Sequence, residues 1–294
     1  MSRTARSAAL FAYLWCVGVV AVNIHIVMLK SGVPYPGDHF SPPVWYEPLS
    51  AFLQLTALYW LLGLVKQRFT TFGMVRQTLI LFILMAALME LFVRLPATAG
   101  YVNGQSYLFT WVASYLPEMI TLLIACGAVV CLGRWNRWGW PVALALLAVF
   151  AAISVHWVTP IIFEQTSSLL QWLTPPDPQK IIPSPYDWQT SAIASALFVE
   201  PVLSCFAIAL LSWNSFPRRQ LFACLQFTAA ILLLNKGLVK FVVFLLYTDL
   251  PWPTAVLSIG QFTFEWVFVC GMIALAVFFL FRTEQLSEKL AAGR

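Results

Sequence analysis

Charge is scarce in this sequence. Asp, Glu, Lys and Arg make up 10% of its 294 residues, where soluble domains carry about 25%. That excludes an ordinary water-soluble domain. The signatures of common soluble enzymes are missing too: there is no GxSxG, no Walker phosphate loop and no GxGxxG. The net charge of +5 comes without a basic stripe or a nucleic-acid motif, so no nucleic-acid partner is expected. None of the six cysteines (Cys16, Cys126, Cys131, Cys205, Cys224, Cys270) forms a CxxC pair. All fall in apolar stretches, as small buried side chains do. No HxxxH or HxxE spacing and no cysteine cluster supports a metal, and no cofactor is expected. A cleaved leader is not expected either. The apolar stretch at 8–29, after MSRTAR, is long enough to cross a membrane and lacks an Ala-x-Ala site.

What the chain has instead is apolar length. Hydrophobic residues make up 61% of it and aromatics 15%, with a mean hydropathy of +0.81. A crossing helix needs about 20 mostly apolar residues. The pattern predicts an all-α, polytopic membrane protein with eight transmembrane helices, near 8–29, 43–65, 75–95, 107–132, 139–161, 187–213, 219–247 and 253–281. Of the 17 basic residues, 12 fall on one side of these spans: Arg3, Arg6, Lys66, Arg68, Arg76, Arg134, Arg137, Arg218, Arg219, Arg282, Lys289 and Arg294. The positive-inside rule then puts both termini in the cytoplasm. A bacterial inner membrane is expected ahead of the endoplasmic reticulum, although both would show these signals. The long outer loop 161–187 begins amphipathic (IIFEQTSSLLQWL) and ends proline-rich. It reads as a connector, with a lid over the site as the alternative.

The spans recur in order. VVAVNIHIVML in the first matches VFAAISVHWVT in the fifth. YEPLSAFLQLTALYW in the second matches VEPVLSCFAIALLSW in the sixth. Arg76-Gln77 opens the third as Arg219-Gln220 opens the seventh, and Glu118 and Glu265 lie in the fourth and eighth. This predicts a parallel 4+4 internal repeat, with units 1–135 and 136–294 related by an axis along the membrane normal.

The few charges are spent where they cost most. Glu47, Glu90, Arg94, Glu118, Glu200, Lys236, Lys240 and Glu265 fall inside spans, as do His25 and His156. A charge at mid-membrane costs about 2.5–3.5 kcal/mol on insertion scales, so such residues pair, line a wet cavity or do chemistry. Eight of them (Glu90 and Lys236 aside) lie 16 to 21 residues from the nearest inner basic residue. In continuous helices that is one layer, roughly 24–32 Å from the cytoplasmic end. Glu90 and Arg94 stand four apart and should share a helix face, as should Lys236 and Lys240, which repel. Two lysines in a span need acids from other helices or an anionic ligand, unless Lys240 snorkels outward. Glu47 and Glu200 each precede a proline, which loosens a helix and suits a pocket. Gln261 lies one turn before Glu265. Imidazole near carboxylates suits proton transfer.

The second half also resembles a known family. A helix with a central His, a Tyr-Asp before a helix bearing LFVEP, a helix ending in FVVFL, and then FTFEW are similar to the EXPERA four-helix domain. That is the domain of emopamil-binding sterol isomerases, the sigma-two receptor and the transmembrane-six-superfamily proteins. The first half looks similar through PPVWYEP and SYLPEMI. The resemblance implies a tandem copy, with His156 and Glu200 as the catalytic His and Glu. Pro160 stands where the family has a second acid, and Glu265 where it has Asn. What the resemblance then implies is binding or processing of a sterol- or isoprenoid-like molecule, not sterol isomerisation itself.

Three functions follow as expectations. The first is a protein binding a lipophilic molecule at a buried polar site in the outer half of the membrane. His156 and Glu200 would be its catalytic pair. His25, Glu47, Glu90, Arg94, Glu118, Lys236, Lys240, Gln261 and Glu265 would hold the ligand. The second is a secondary transporter of a small polar or anionic solute between pseudo-symmetric halves. The third is a structural subunit whose charges meet a partner. The partners expected are membrane lipid or a lipophilic small molecule, with a homodimer or a larger membrane complex as further candidates.

Overall fold

The computed structural model describes residues 3–69, 71–135, 139–170, 172, 187–217 and 219–292. Among them it is all-helical, and the only bridge between extended segments is one antiparallel pair, Phe40 with Thr248. The elements are α1 (Arg3–Lys30), α2 (Tyr46–Phe69), α3 (Met74–Leu88), α4 (Arg94–Val102), α5 (Tyr107–Thr110), α6 (Leu116–Trp135), α7 (Trp140–Ile153), α8 (Thr159–Leu169), α9 (Trp188–Leu197), α10 (Val199–Ser212), α11 (Gln220–Leu234), α12 (Gly237–Tyr247) and α13 (Trp252–Ala292). The proline-rich part of the expected outer loop, 174–185, lies outside the described residues. Its amphipathic first part continues as α8.

Six helical stretches are long and apolar enough to cross a membrane: Thr4–Lys30, Tyr46–Lys66, Tyr107–Arg134, Trp140–Leu169, Trp188–Ser215 and Trp252–Leu280. Their outward faces carry exposed side chains such as Val20, Trp60, Ile124, Leu146, Leu203 and Phe279. In water such faces would be unstable; in lipid they cost nothing. The chain is a multi-pass integral membrane protein.

The third and seventh spans depart from the expected eight continuous helices. α3 is a 15-residue apolar helix that stops at Leu88, and α11 and α12 meet at a 70° bend. The cause is a left-handed residue just past each helix end. Glu90 has φ 63° and Lys236 has φ 62°. Glu90 N–H donates to the Ala87 carbonyl and Leu91 N–H to Ala86, which closes α3 as a left-handed cap closes any helix. A non-glycine residue held this way costs about 1–3 kcal/mol. The depth count for Arg94 and Lys240, which assumes straight helices, therefore does not hold.

Two further spans are distorted without breaking. Trp111–Tyr115 and Ser154–Val158 are π-helical turns. Each precedes a proline, Pro117 and Pro160, whose ring nitrogen cannot donate to the carbonyl four residues back. The ladder widens instead: Leu116 N–H reaches the Trp111 carbonyl and Thr159 N–H the Ser154 carbonyl. Pro48 and Pro201 behave differently. They sit in the first turns of α2 and α10, where no intrahelical bond is lost. Outside the membrane, the Asp187 carboxylate caps α9 by accepting the Thr190 N–H at 2.7 Å. That bond holds its carboxyl below the ordinary range.

The helices interleave. α1 packs on α13, α9 and α10, while α7 packs on α2 and α6. α3 packs on α6 and α10, while α11 packs on α13 and α2. Polar tethers fix the seams. Tyr13 Oη donates to the Met272 carbonyl at 2.9 Å and Trp15 Nε1 to Ala196 at 3.1 Å. Gly18 lets α1 approach the Phe198 carbonyl, which a Cβ there would meet at 3.3 Å. One buried apolar cluster, including Val22, Leu58, Met85, Val129, Phe198 and Ile273, runs through all of them.

Candidate functional site

The buried charges gather in two networks. The first network joins α1, α3–α4, α10 and α13. Its strongest element is Glu200. The end of α3 leaves the amides before α4 without intrahelical partners, and in lipid they would stay unpaired. The Glu200 carboxylate takes three of them: Phe92 N–H at 2.9 Å, Val93 at 3.0 Å and Arg94 at 2.7 Å. The Arg94 guanidinium turns back to Glu90, donates through Nε to the Ala194 carbonyl at 3.1 Å, and lies 4.5 Å above the Phe198 ring. Glu90 and Arg94 thus pair as their spacing predicts, but across a helix break and not along one face. Next to them, His25 Nδ1 and Glu265 Oε2 share a hydrogen bond of 2.6 Å, both side chains almost fully buried. The imidazole stacks on Phe262, with centroids 5.0 Å apart. Glu90 interacts electrostatically with both Glu265 and Glu200.

The second network joins α2, α6 and the α11–α12 bend. Glu118 faces Lys236 and Glu47 electrostatically, and Lys240 faces Glu47. Among the described residues none of these four forms an ion pair within 4 Å. Glu47, Glu118 and Lys236 instead line a cavity of about 60 Å³ with Gln54, Met85, Met89, Thr121 and Ala151. That is room for about two waters. Lys240 lines a separate hollow of about 150 Å³ beside Asn235, Thr263 and Trp266.

Gln54 connects the two helix breaks. Its Nε2 donates to the carbonyl of Leu234, the last residue of α11, at 2.6 Å. It also reaches Met89 Sδ, just past α3, at 3.3 Å. Asn235 Oδ1 accepts the Gly237 N–H at 2.9 Å and so caps α12. Neither residue stood out in the sequence. A lone amide in an apolar span carries the same kind of signal as a lone charge, and that signal was there for Gln54.

Three expected site residues lie elsewhere or play another part. His156 is exposed on its π-helical turn, edge-on to Trp157 at 5.6 Å, and no hydrogen bond joins it to Glu200 among the described residues. Glu200 is occupied as a backbone cap. Gln261 is fully buried and donates to the carbonyls of Ser258 at 2.8 Å and Pro34 at 3.4 Å, while its Oε1 has no partner. It ties α13 to the loop after α1. Among the described residues no three His, Cys, Asp or Glu side chains are placed to hold a metal. Compared with known proteins, the chain matches no family model, no curated relative and no solved structure.

Proposed function

We propose that the protein carries a small polar solute across the membrane. Glu47, Glu118 and Lys236 form the binding set, and Glu118 is the proton-accepting group. The observation that carries this is the pair of broken helices meeting at Gln54 beside a cavity of unpaired charges. Discontinuous helices at corresponding places in two halves are the usual seat of a carrier's site. They put free backbone groups and mobile side chains at mid-membrane without exposing either to lipid.

The 4+4 repeat belongs to the same proposal. The packing is supportive, because it is unchanged when α1, α2, α3 and α6 are exchanged for α7, α10, α11 and α13. α1 on α13 becomes α7 on α6, α1 on α10 becomes α7 on α2, and α3 on α10 becomes α11 on α2. The first network then draws on the first and third spans of one unit and the second and fourth of the other. The second network is its counterpart. One is closed by direct bonds and the other stands around a cavity, so the second is the binding side. Both termini on the cytoplasmic side complete the arrangement, supported by the basic residues.

A sterol- or isoprenoid-like molecule, which the EXPERA resemblance implies, is the rival ligand. Free space of about 60 Å³ favours the smaller solute. Liposomes holding the purified protein and a pH-sensitive dye distinguish the two. Small carboxylates, amino acids and ammonium would be added outside in turn. One class should drive proton movement that is lost in Glu118→Gln and Lys236→Met and kept in His156→Ala. Wild-type liposomes that respond to none of them, with a sterol probe crosslinking to Glu118, would replace the carrier with the rival.

A further inference from the structure

A second site stands at the basic end of the bundle, away from the charged networks. Where α2 and α6 end and α3 begins, a cavity of about 240 Å³ is lined by Tyr59, Gly63, Lys66, Gln77, Gly133 and Arg134, among others. Gln77 shapes its rim by donating to the Phe69 and Phe72 carbonyls, and Arg134 donates to Phe72 at 3.1 Å. Among the described residues no carboxylate pairs with either cation. The segments 66–76, 134–139 and 213–219 contain no Asp or Glu at all.

A groove of about 640 Å³ between α2 and α11 adjoins it. It is walled by Leu53, Ala57, Trp60, Trp140, Ala230 and Leu233, and it meets the basic cavity at Tyr59 and Gly63, which line both. From Gly63 to Leu53 the groove runs about 15 Å along α2. Tyr59 and Trp140 stack at 5.1 Å to form its lip. Gly63 keeps the wall between the cavity and the groove low. Glycine in a helix interior costs about 1 kcal/mol against alanine and usually permits a close approach. Here a Cβ would meet nothing within 4 Å. Among the described residues none fills the space that this glycine leaves.

We infer that this is a binding site for an anionic glycerophospholipid, its phosphate held by Lys66 and Arg134 and one acyl chain laid in the α2–α11 groove. A cationic pocket opening onto an apolar groove matches an anionic head on an apolar tail, and basic pockets between membrane helices on the cytoplasmic side hold anionic headgroups in this way. The site shares no residue with the proposed solute site, so either can fail without the other.

The test uses the full chain, purified and delipidated in detergent, with thermal unfolding followed by tryptophan fluorescence. Short-chain phosphatidylglycerol should raise the midpoint. Phosphatidylcholine of the same chain length and inorganic phosphate should not. Lys66→Gln, which removes an exposed and unpaired side chain, should raise the half-saturating phosphatidylglycerol concentration about fivefold, and Arg134→Gln by a similar factor. Gly63→Phe should weaken the response while leaving the lipid-free midpoint in place. Equal shifts with both lipids, a shift with phosphate alone, or an unchanged response in Lys66→Gln would overturn the headgroup assignment. An unchanged response in Gly63→Phe would overturn the acyl seat.

Discussion

At the residue scale, the two histidines show how one side chain takes different parts. His25 and Glu265 are buried against each other at 2.6 Å, while His156 looks outward from its π-helical turn. Removing one member of a buried pair leaves the other desolvated and unpartnered, at a cost of about 2–4 kcal/mol. His25→Ala should therefore lower the unfolding midpoint in detergent strongly. His156→Ala should stay within about 0.5 kcal/mol of the parent, as exposed substitutions do. Equal losses in both would mean that His156 has a buried partner. The sequence made the costly residues legible, because a charge in an apolar run stands out by itself. It also made the Glu90–Arg94 pair legible through their spacing. It could not tell His25 from His156, since only packing decides which one meets a carboxylate.

At the element scale, the helix breaks are the feature hidden from the sequence. A left-handed residue usually declares itself as glycine or asparagine. Here it is Glu90 and Lys236, and each lies within an apolar run that reads as continuous. The strained turn persists because its freed amides are satisfied from another helix. Glu200→Ala should undo that for α4, at about 2–4 kcal/mol for three orphaned donors in a low-dielectric interior. Glu200→Gln keeps one carbonyl oxygen and should cost less than half as much. Amide exchange at 92–94 is the direct readout. It should quicken in Glu200→Ala and stay slow elsewhere in α3. The Glu-Pro pairs were legible as special, but the part of each was not: both prolines lie in first turns, Glu47 lines the cavity, and the Glu200 carboxylate holds the amides at 92–94.

At the scale of the whole molecule, neither half of the chain buries all of its own faces. α1 rests on α13, and α7 on α2. Residues 1–135 and 136–294 expressed alone should each be degraded or aggregate, whereas co-expressed they should co-purify as one complex. A half that is stable alone would count against the interleaved packing. The all-helical, membrane-spanning class was legible from composition and run length. The interleaving was not. Sequence tells which helix faces are apolar, and the partner of each face is chosen only by three-dimensional complementarity.

The His25–Glu265 contact sets an order of events at birth. The two residues are 240 apart in the chain. At a synthesis rate of about 5–20 residues per second, His25 is made roughly 12–48 s before its carboxylate. During that interval α1 sits in the bilayer with an unpartnered imidazole and an open flank. Insertion and assembly are thus separate stages for this protein. α1 stays without this partner until α13 arrives, and α13 is the latch that closes over it.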